Sequence, residues 1–216
     1  MKQAGEVVYL VDDDLSVREA MTGLLEALGL AVVSFDSAES FLRHQRSDSV
    51  ACLLLDLQLP EMNGLELQEH LAARPNLPVI FITAHGDIPL SVRAMKRGAL
   101  EFLTKPVDRE ALLAAVRTAF ALNREARARQ AQRAELSARS SRLTPREREV
   151  MSLIVSGYLN KQVAATLGIS EVTVQIHRGR IMRKMAAPSF AELVKMCGLL
   201  GIPEPAKLLR GPESLE

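Results

Sequence analysis

The sequence predicts an α/β domain on a five-stranded, doubly wound parallel sheet, followed by a separate all-α domain that a long helical linker joins to it. Three observations carry this. Apolar runs of strand length alternate with segments of helical periodicity through the first half of the chain. Those runs stop on polar residues, at Asp12/Asp13, Asp56, Thr83 and Lys105. The second half reads throughout as short amphipathic helices bounded by caps and glycines.

Residues 7–11 form the first strand and end at Asp12-Asp13-Asp14. Val17, Met21, Leu24, Leu25 and Leu28 then recur at helical spacing over 16–28, with Gly29 placed as a helix C-terminal residue. Residues 32–35 are a short strand, and Ser37 precedes a helix that uses Phe41 and Leu42. The run from Cys52 to Leu55 is wholly apolar, stops at Asp56 and turns through Pro60 and Gly64. Such a run is buried on both faces, as parallel sheets require. A helix over about 65–73 and a strand over 79–83 follow. Asp87 is placed to cap the helix carrying Val92 and Met95, with Pro89 in its first turn. A strand at 101–103 leads to Thr104-Lys105-Pro106, and Asp108 caps the next helix.

From there the pattern runs through Leu112, Leu113, Val116, Phe120 and Leu122 without Gly or Pro until Pro145. Residues 109–139 are read as one interdomain helix, and fraying of its apolar-poor part beyond Leu122 is the alternative. Thr144-Pro145-Arg146-Glu147 combines a capping Thr, Pro at the first helical position and Glu at the third. Val150, Met151, Leu153, Ile154 and Val155 supply that helix's buried face, and Gly157 ends it. A short helix over 160–167, the turn Gly168-Ile169-Ser170 and a helix over 171–185 make a helix-turn-helix signature. Ser189 and Glu192 are placed as a second capping box, for a last helix through Leu193, Val194 and Leu199. The expected divisions are 1–122 for the α/β domain, 123–142 for the linker, 143–202 for the all-α domain and 203–216 for a loosely ordered tail.

The net charge of +1 conceals two opposed halves. Residues 1–120 hold 11 Lys/Arg against 17 Asp/Glu, a net of −6, and residues 121–216 hold 16 against 9, a net of +7. An acidic half suits a cation and a basic half suits DNA, with solvated charged faces as the plainer alternative. The two cysteines, Cys52 and Cys197, lie in apolar segments of different domains, so buried thiols are expected rather than a disulfide. No signal segment and no apolar run near ~18 residues is present, so a cytoplasmic protein without membrane contact is expected.

In a parallel sheet the strand C-termini share one edge, so the four polar clusters converge. Asp12, Asp13 and Asp56 there make an all-oxygen site suited to Mg²⁺ or Mn²⁺ rather than zinc. A carboxylate can itself take a phosphoryl group when cations neutralise the transferring oxygens. Asp56 is placed as that nucleophile, Lys105 as the cation and Thr83 as a hydroxyl donor. The alternative is that Asp12 and Asp13 cap the following helix and Lys105 pairs with them. His85 is given a loop-positioning role.

The motifs Val11-Asp12-Asp13-Asp14, the strand to Asp56 with Pro60 and Gly64, Thr83-Ala84 and Lys105-Pro106 resemble the receiver domains of bacterial two-component response regulators over roughly residues 5–122. The resemblance implies a flavodoxin-like fold and a phosphoryl group accepted by Asp56 from a sensor histidine kinase. It implies Mg²⁺ held by Asp13, Asp56 and the backbone carbonyl of Gln58, with Asp12 acting through water, and a cis bond before Pro106. Thr83 and the aromatic ring at Phe102 would form the switch. Many members have Tyr there, and Phe102 lacks the hydroxyl. Residues 81–94 look like the FixJ branch.

Residues 143–200 resemble the LuxR-type, or NarL/FixJ, helix-turn-helix through Leu143-Thr144-Pro145-Arg146-Glu147, Asn160-Lys161, Ile169-Ser170, Thr173-Val174-Gln175-Ile176-His177-Arg178 and Lys184-Met185. The first turns of a capped recognition helix face the major groove, which makes Glu171, Thr173, Gln175, Ile176 and Gly179 base-edge candidates. Lys161, Arg178, Arg180 and Arg183 are phosphate candidates. Family members often carry Lys at the positions of Gln175 and Gly179, and Gln suits adenine. Val174 and Met182 read as core.

The expected function is a transcription regulator that forms a homodimer on phosphorylation and then binds double-stranded promoter DNA, with RNA polymerase as a further partner. It is not expected to be an enzyme beyond phosphorylation and autodephosphorylation at Asp56. One alternative is a Mg²⁺-dependent phosphatase with an aspartyl-phosphate intermediate, although Gln58 stands where its second acid/base carboxylate would sit. The other is a constitutive DNA-binding protein whose receiver only dimerises.

Overall fold

The computed structural model describes residues 5–45, 48–72, 77–84 and 88–202. The expectations for Ala73, His85, Asp87 and the tail from Pro203 lie outside those residues. Strands β1 (Glu6–Val11), β2 (Ala31–Phe35), β3 (Val50–Asp56), β4 (Val79–Thr83) and β5 (Glu101–Thr104) alternate with helices α1 (Leu15–Ala27), α2 (Ala38–Arg43), α3 (Gly64–Ala72), α4 (Ile88–Lys96) and α5 (Arg109–Ser141). All neighbouring strands are parallel, in the order β2-β1-β3-β4-β5.

The strand sequences explain the layers. Successive residues of a strand point to opposite faces, so a strand covered on both sides needs apolar residues at every position. In β3, Leu53 and Leu55 join a core with Phe41, Leu67, Leu71 and Ala94 from α2, α3 and α4. Cys52 and Leu54 join the opposite core with Met21, Leu25, Leu112, Val116 and Phe120 from α1 and α5. Each buried leucine contributes roughly 1.5–3 kcal/mol, which makes β3 the central element of the domain. Helix α1 stops where Gly29 takes the left-handed conformation at φ +81°.

The first compact unit ends at Ala128, beyond the boundary expected at 122. The chain past Leu122 is polar but remains bonded to the base of the sheet. The buried Asn123 accepts a hydrogen bond from the Ala51 amide at 3.0 Å, Arg127 donates to Asp48 and Arg124 pairs with Glu6.

The second unit contains α6 (Pro145–Val155), α7 (Asn160–Leu167), α8 (Glu171–Met185) and α9 (Phe190–Leu199). Leu143, Val150, Met151, Ile154, Val163, Val174, Ile181, Met185 and Leu193 form its core, and Met182 packs against it. Gly168 turns α7 into α8 at φ +65°, and the Ser170 hydroxyl caps α8 through the Thr173 amide. Ser189 caps α9 through the Glu192 amide, but the expected reciprocal bond is replaced: the Glu192 carboxylate takes a partner one turn on, Lys195, at 2.8 Å. Both cysteines are free and buried. No helix among the described residues is long and apolar enough to cross a membrane.

Two predictions arise here. Ala186 ends α8 at φ +53°, a conformation that costs an L-residue about 1 kcal/mol and glycine almost nothing. Ala186→Gly is therefore expected to stabilise the second unit by about that amount, read as a higher midpoint in thermal unfolding.

The second concerns Glu147, which closes the α6 capping box with Thr144 and also accepts from Lys184 at 2.6 Å. Burial pushes its carboxyl up, but the Lys184 ammonium and the Thr144 donors outweigh that and hold it below its ordinary value. Its stabilisation is therefore complete above the ordinary carboxylate value of ~4.3 and is lost as pH falls through the lowered one. Glu147→Gln keeps the cap and removes the charge pair. At neutral pH it is expected to cost about 1 kcal/mol, because Lys184 is partly exposed, and the difference from wild type should vanish in acid.

Candidate functional site

The four polar strand ends meet at one edge. Asp12 follows β1, Asp56 and Thr83 are the last residues of β3 and β4, and Lys105 follows β5. The Lys105 Nζ donates to Asp12 Oδ2 at 2.7 Å and to Asp56 Oδ2 at 2.6 Å. Its own amide is anchored on the Thr83 carbonyl at 2.7 Å, and the peptide before Pro106 is cis. The second oxygen of Asp56 accepts from the Gln58 amide at 3.0 Å, so Gln58 meets the carboxylate through its backbone N–H.

The three consecutive acids divide their roles. The buried Asp12 turns inward to Lys105 and accepts from the Asp14 amide at 3.0 Å. Asp14, rather than Asp12 or Asp13, caps α1, accepting from Ser16 at 2.8 Å and Val17 at 3.3 Å. Asp13 is exposed, and it offers an oxygen that lies within 4.8 Å of those of Asp12 and Asp56. Sequence reasoning missed Arg18, whose guanidinium donates to the carbonyls of Asp12 (2.7 Å) and Asp13 (3.0 Å). The available signal was one basic residue in the first turn of the helix after an acidic loop.

Electrostatics follow from this packing. Burial raises the Asp12 carboxyl above its ordinary value, more than the Lys105 hydrogen bond and charge recover. Burial pulls Lys105 down, but its two carboxylate partners outweigh that and hold the ammonium above its ordinary value.

The loop after Asp56 is shaped by close backbone approach. Gly64 donates to the Leu57 carbonyl at 3.0 Å, and a Cβ on it would lie 2.4 Å from the Asp56 carbonyl oxygen. Glu61 holds a left-handed φ of +65° in the same loop. Thr83 is fully buried. Phe102, on the adjacent β5 and paired in register with Phe81, is half-buried with its ring centroid 6.4 Å from that of Phe81.

In the second unit, Lys161, Glu171, Gln175, Ile176, Gly179, Arg180 and Arg183 are exposed. Two other nominated residues are engaged within the unit. The Thr173 hydroxyl shares a 2.8 Å hydrogen bond with Ser170, and Arg178 donates to Asn160 at 3.1 Å while lying 5.0 Å over the Phe190 ring. Val172, which sequence reasoning passed over, is 65% exposed.

Fold and site define a two-module class: a parallel-sheet domain with a carboxylate–lysine cluster at its strand ends, paired with a helix-turn-helix unit. The profile of the response regulator receiver domain matches residues 8–117, and that of the bacterial regulatory proteins of the luxR family matches residues 141–197. The chain is 47% identical over 197 residues to nodulation protein W of Bradyrhizobium diazoefficiens, covering 91% of this chain and 87% of that protein. It is 43% identical over 196 residues to the transcriptional regulatory protein FixJ of Azorhizobium caulinodans, covering 90% and 93%. Among solved structures, the response regulator StyR superposes with a TM-score of 0.78 at 47% identity, covering 90% of this chain and 99% of that one. Full-length FixJ from B. japonicum gives 0.55 at 35% identity, covering 93% and 99%. The chain belongs to the response regulators that join a receiver domain to a LuxR-type DNA-binding domain and regulate transcription.

Proposed function

We propose that Asp56 is the phosphoacceptor for a sensor histidine kinase and that its phosphorylation controls DNA binding by the second unit. The observation that carries this is the Lys105 ammonium held between Asp12 and Asp56, with the exposed Asp13 carboxylate at the same rim. Three carboxylate oxygens within 4.8 Å of one another, a cluster that among the described residues includes no Cys or His, fit a hard divalent cation. Asp13, Asp56 and the Gln58 carbonyl would hold Mg²⁺ or Mn²⁺, with Asp12 behind them. When bound, the ion neutralises the oxygens of the transferring phosphoryl group.

In the transfer, an Asp56 oxygen attacks the phosphorus of a phosphohistidine. The O–P bond forms as the P–N bond breaks, and the leaving imidazole takes its proton from solvent. Lys105 stays beside the carboxylate and balances its charge, and the Thr83 hydroxyl donates to a phosphoryl oxygen. Thr83 and Phe102 lie on paired strands, so their movement reaches the outer face of α4 and β5. That change favours a homodimer that binds two half-sites of double-stranded promoter DNA and meets RNA polymerase there. The protein is not a turnover enzyme, since its chemistry is confined to gain and hydrolysis of the phosphoryl group on Asp56.

The test is incubation of the full chain with phosphoramidate and Mg²⁺, followed by intact mass, oligomeric state and retention of promoter DNA. All three are expected to change together. A mass increase that leaves oligomeric state and DNA retention unaltered would overturn the coupling.

A further inference from the structure

The outward face of α8 has an unusual composition. The helix buries Val174, Ile181 and Met185 on its inner side. Val172, Gln175, Ile176 and Gly179 follow an i, i+3, i+4, i+7 spacing and so share one face, and all four are exposed. Two of them are apolar, Val172 at 65% exposure and Ile176 at 49%. Solvent-facing helix positions ordinarily carry polar residues. At Gly179 an added Cβ would meet nothing within 4 Å, so the helix backbone stands open beyond Ile176. Arg180, Arg183 and Lys161 are exposed on the same helix pair, which gives the surface the charge a polyanion requires.

Membership of a DNA-binding family supplies the occupant of this face, the major groove. The apolar group that base edges present there is the thymine C5-methyl. We infer that Val172 and Ile176 read thymine methyl groups, so that each operator half-site of this chain carries two thymines beside an adenine held by Gln175. Four helical residues advance about 6 Å and a base step about 3.4 Å, so the two thymines lie within about two steps of each other. The missing side chain at Gly179 lets the helix approach closely enough for two short side chains to reach them. This specificity rests on α8 being the recognition helix and is independent of the chemistry at Asp56.

The test uses the full chain with phosphoramidate and Mg²⁺ and a randomised duplex library, from which bound half-sites are recovered. Each thymine of the recovered site is then replaced singly by deoxyuridine, which deletes the methyl alone. Two positions are expected to weaken binding, each about 4-fold, the effect of one buried methyl-sized group. Val172→Ser and Ile176→Ala, checked for wild-type circular dichroism, should each abolish the sensitivity at one of those positions. Indifference to deoxyuridine throughout, as a protein partner on this face would produce, overturns the inference, and so does sensitivity that persists in both variants. A library with no enrichment by a chain that intact mass shows to carry the phosphoryl group overturns the reading of α8 on which it rests.

Discussion

Asp56→Asn is expected to abolish phosphoryl uptake, lowering its rate by about three orders of magnitude or more, because an amide is no nucleophile. The substitution is nearly isosteric. The side-chain oxygen can still accept from the Gln58 amide, and Lys105 keeps Asp12 as a partner, so the fold should persist. That separates the loss of chemistry from a loss of structure. Lys105→Ala should behave differently. It leaves Asp12 and Asp56 facing each other without their shared cation, so it should slow uptake and also destabilise the receiver, since an uncompensated buried charge costs several kcal/mol. Intact mass after exposure to phosphoramidate and Mg²⁺, with thermal unfolding beside it, distinguishes the two. Equal uptake by Asp56→Asn and wild type would move the phosphoacceptor elsewhere.

Gly64→Ala is expected to be the most damaging single-methyl change in the receiver. The new Cβ would lie 2.4 Å from the Asp56 carbonyl oxygen, 3.0 Å from Cε1 of Phe81 and 3.1 Å from the Leu57 Cα. Two of those three neighbours are backbone and the third is a fully buried ring, so none can yield cheaply. Overpacking of this kind costs about 1–3 kcal/mol, and the upper half of that range is expected. The push falls on the peptide that carries Asp56, so uptake should also slow, by up to about 100-fold for a shift near 1 Å. A melting midpoint unchanged from wild type would show that the loop relaxes without cost.

The order of strands and helices was legible because each run carries both a periodicity and a stop signal. Examples are the unbroken apolar run of β3 and the Thr144-Pro145-Arg146-Glu147 start of α6. The convergence of Asp12, Asp56, Thr83 and Lys105 followed from parallel topology alone, which sends every strand's C-terminus to one edge. What escaped was polar contact between residues distant in sequence or near a helix end. The hydrogen bond from Ala51 to Asn123 spans 72 residues, and neither residue type announces it, so the receiver extends past its last apolar residue. Gln68 on α3 donates to the Arg97 carbonyl after α4 at 3.2 Å, again without a local signal. The partners of Thr173 and Arg178 within the second unit, Ser170, Asn160 and the Phe190 ring, likewise carry no local signal.

The division of labour among Asp12, Asp13 and Asp14 sets how replaceable each is. Asp14 holds two backbone amides at the start of α1, a task that Asn, Ser and Thr perform about as well. Asp12 is paired with an ammonium, and Asp13 lends its negative charge to the rim, which neutral substitutes cannot do. A triplet that looks uniform in the chain is therefore expected to act as one generic position beside two that must stay acidic. Randomising all three and selecting for phosphoryl uptake should return a mixed column at the third and an acidic one at each of the first two.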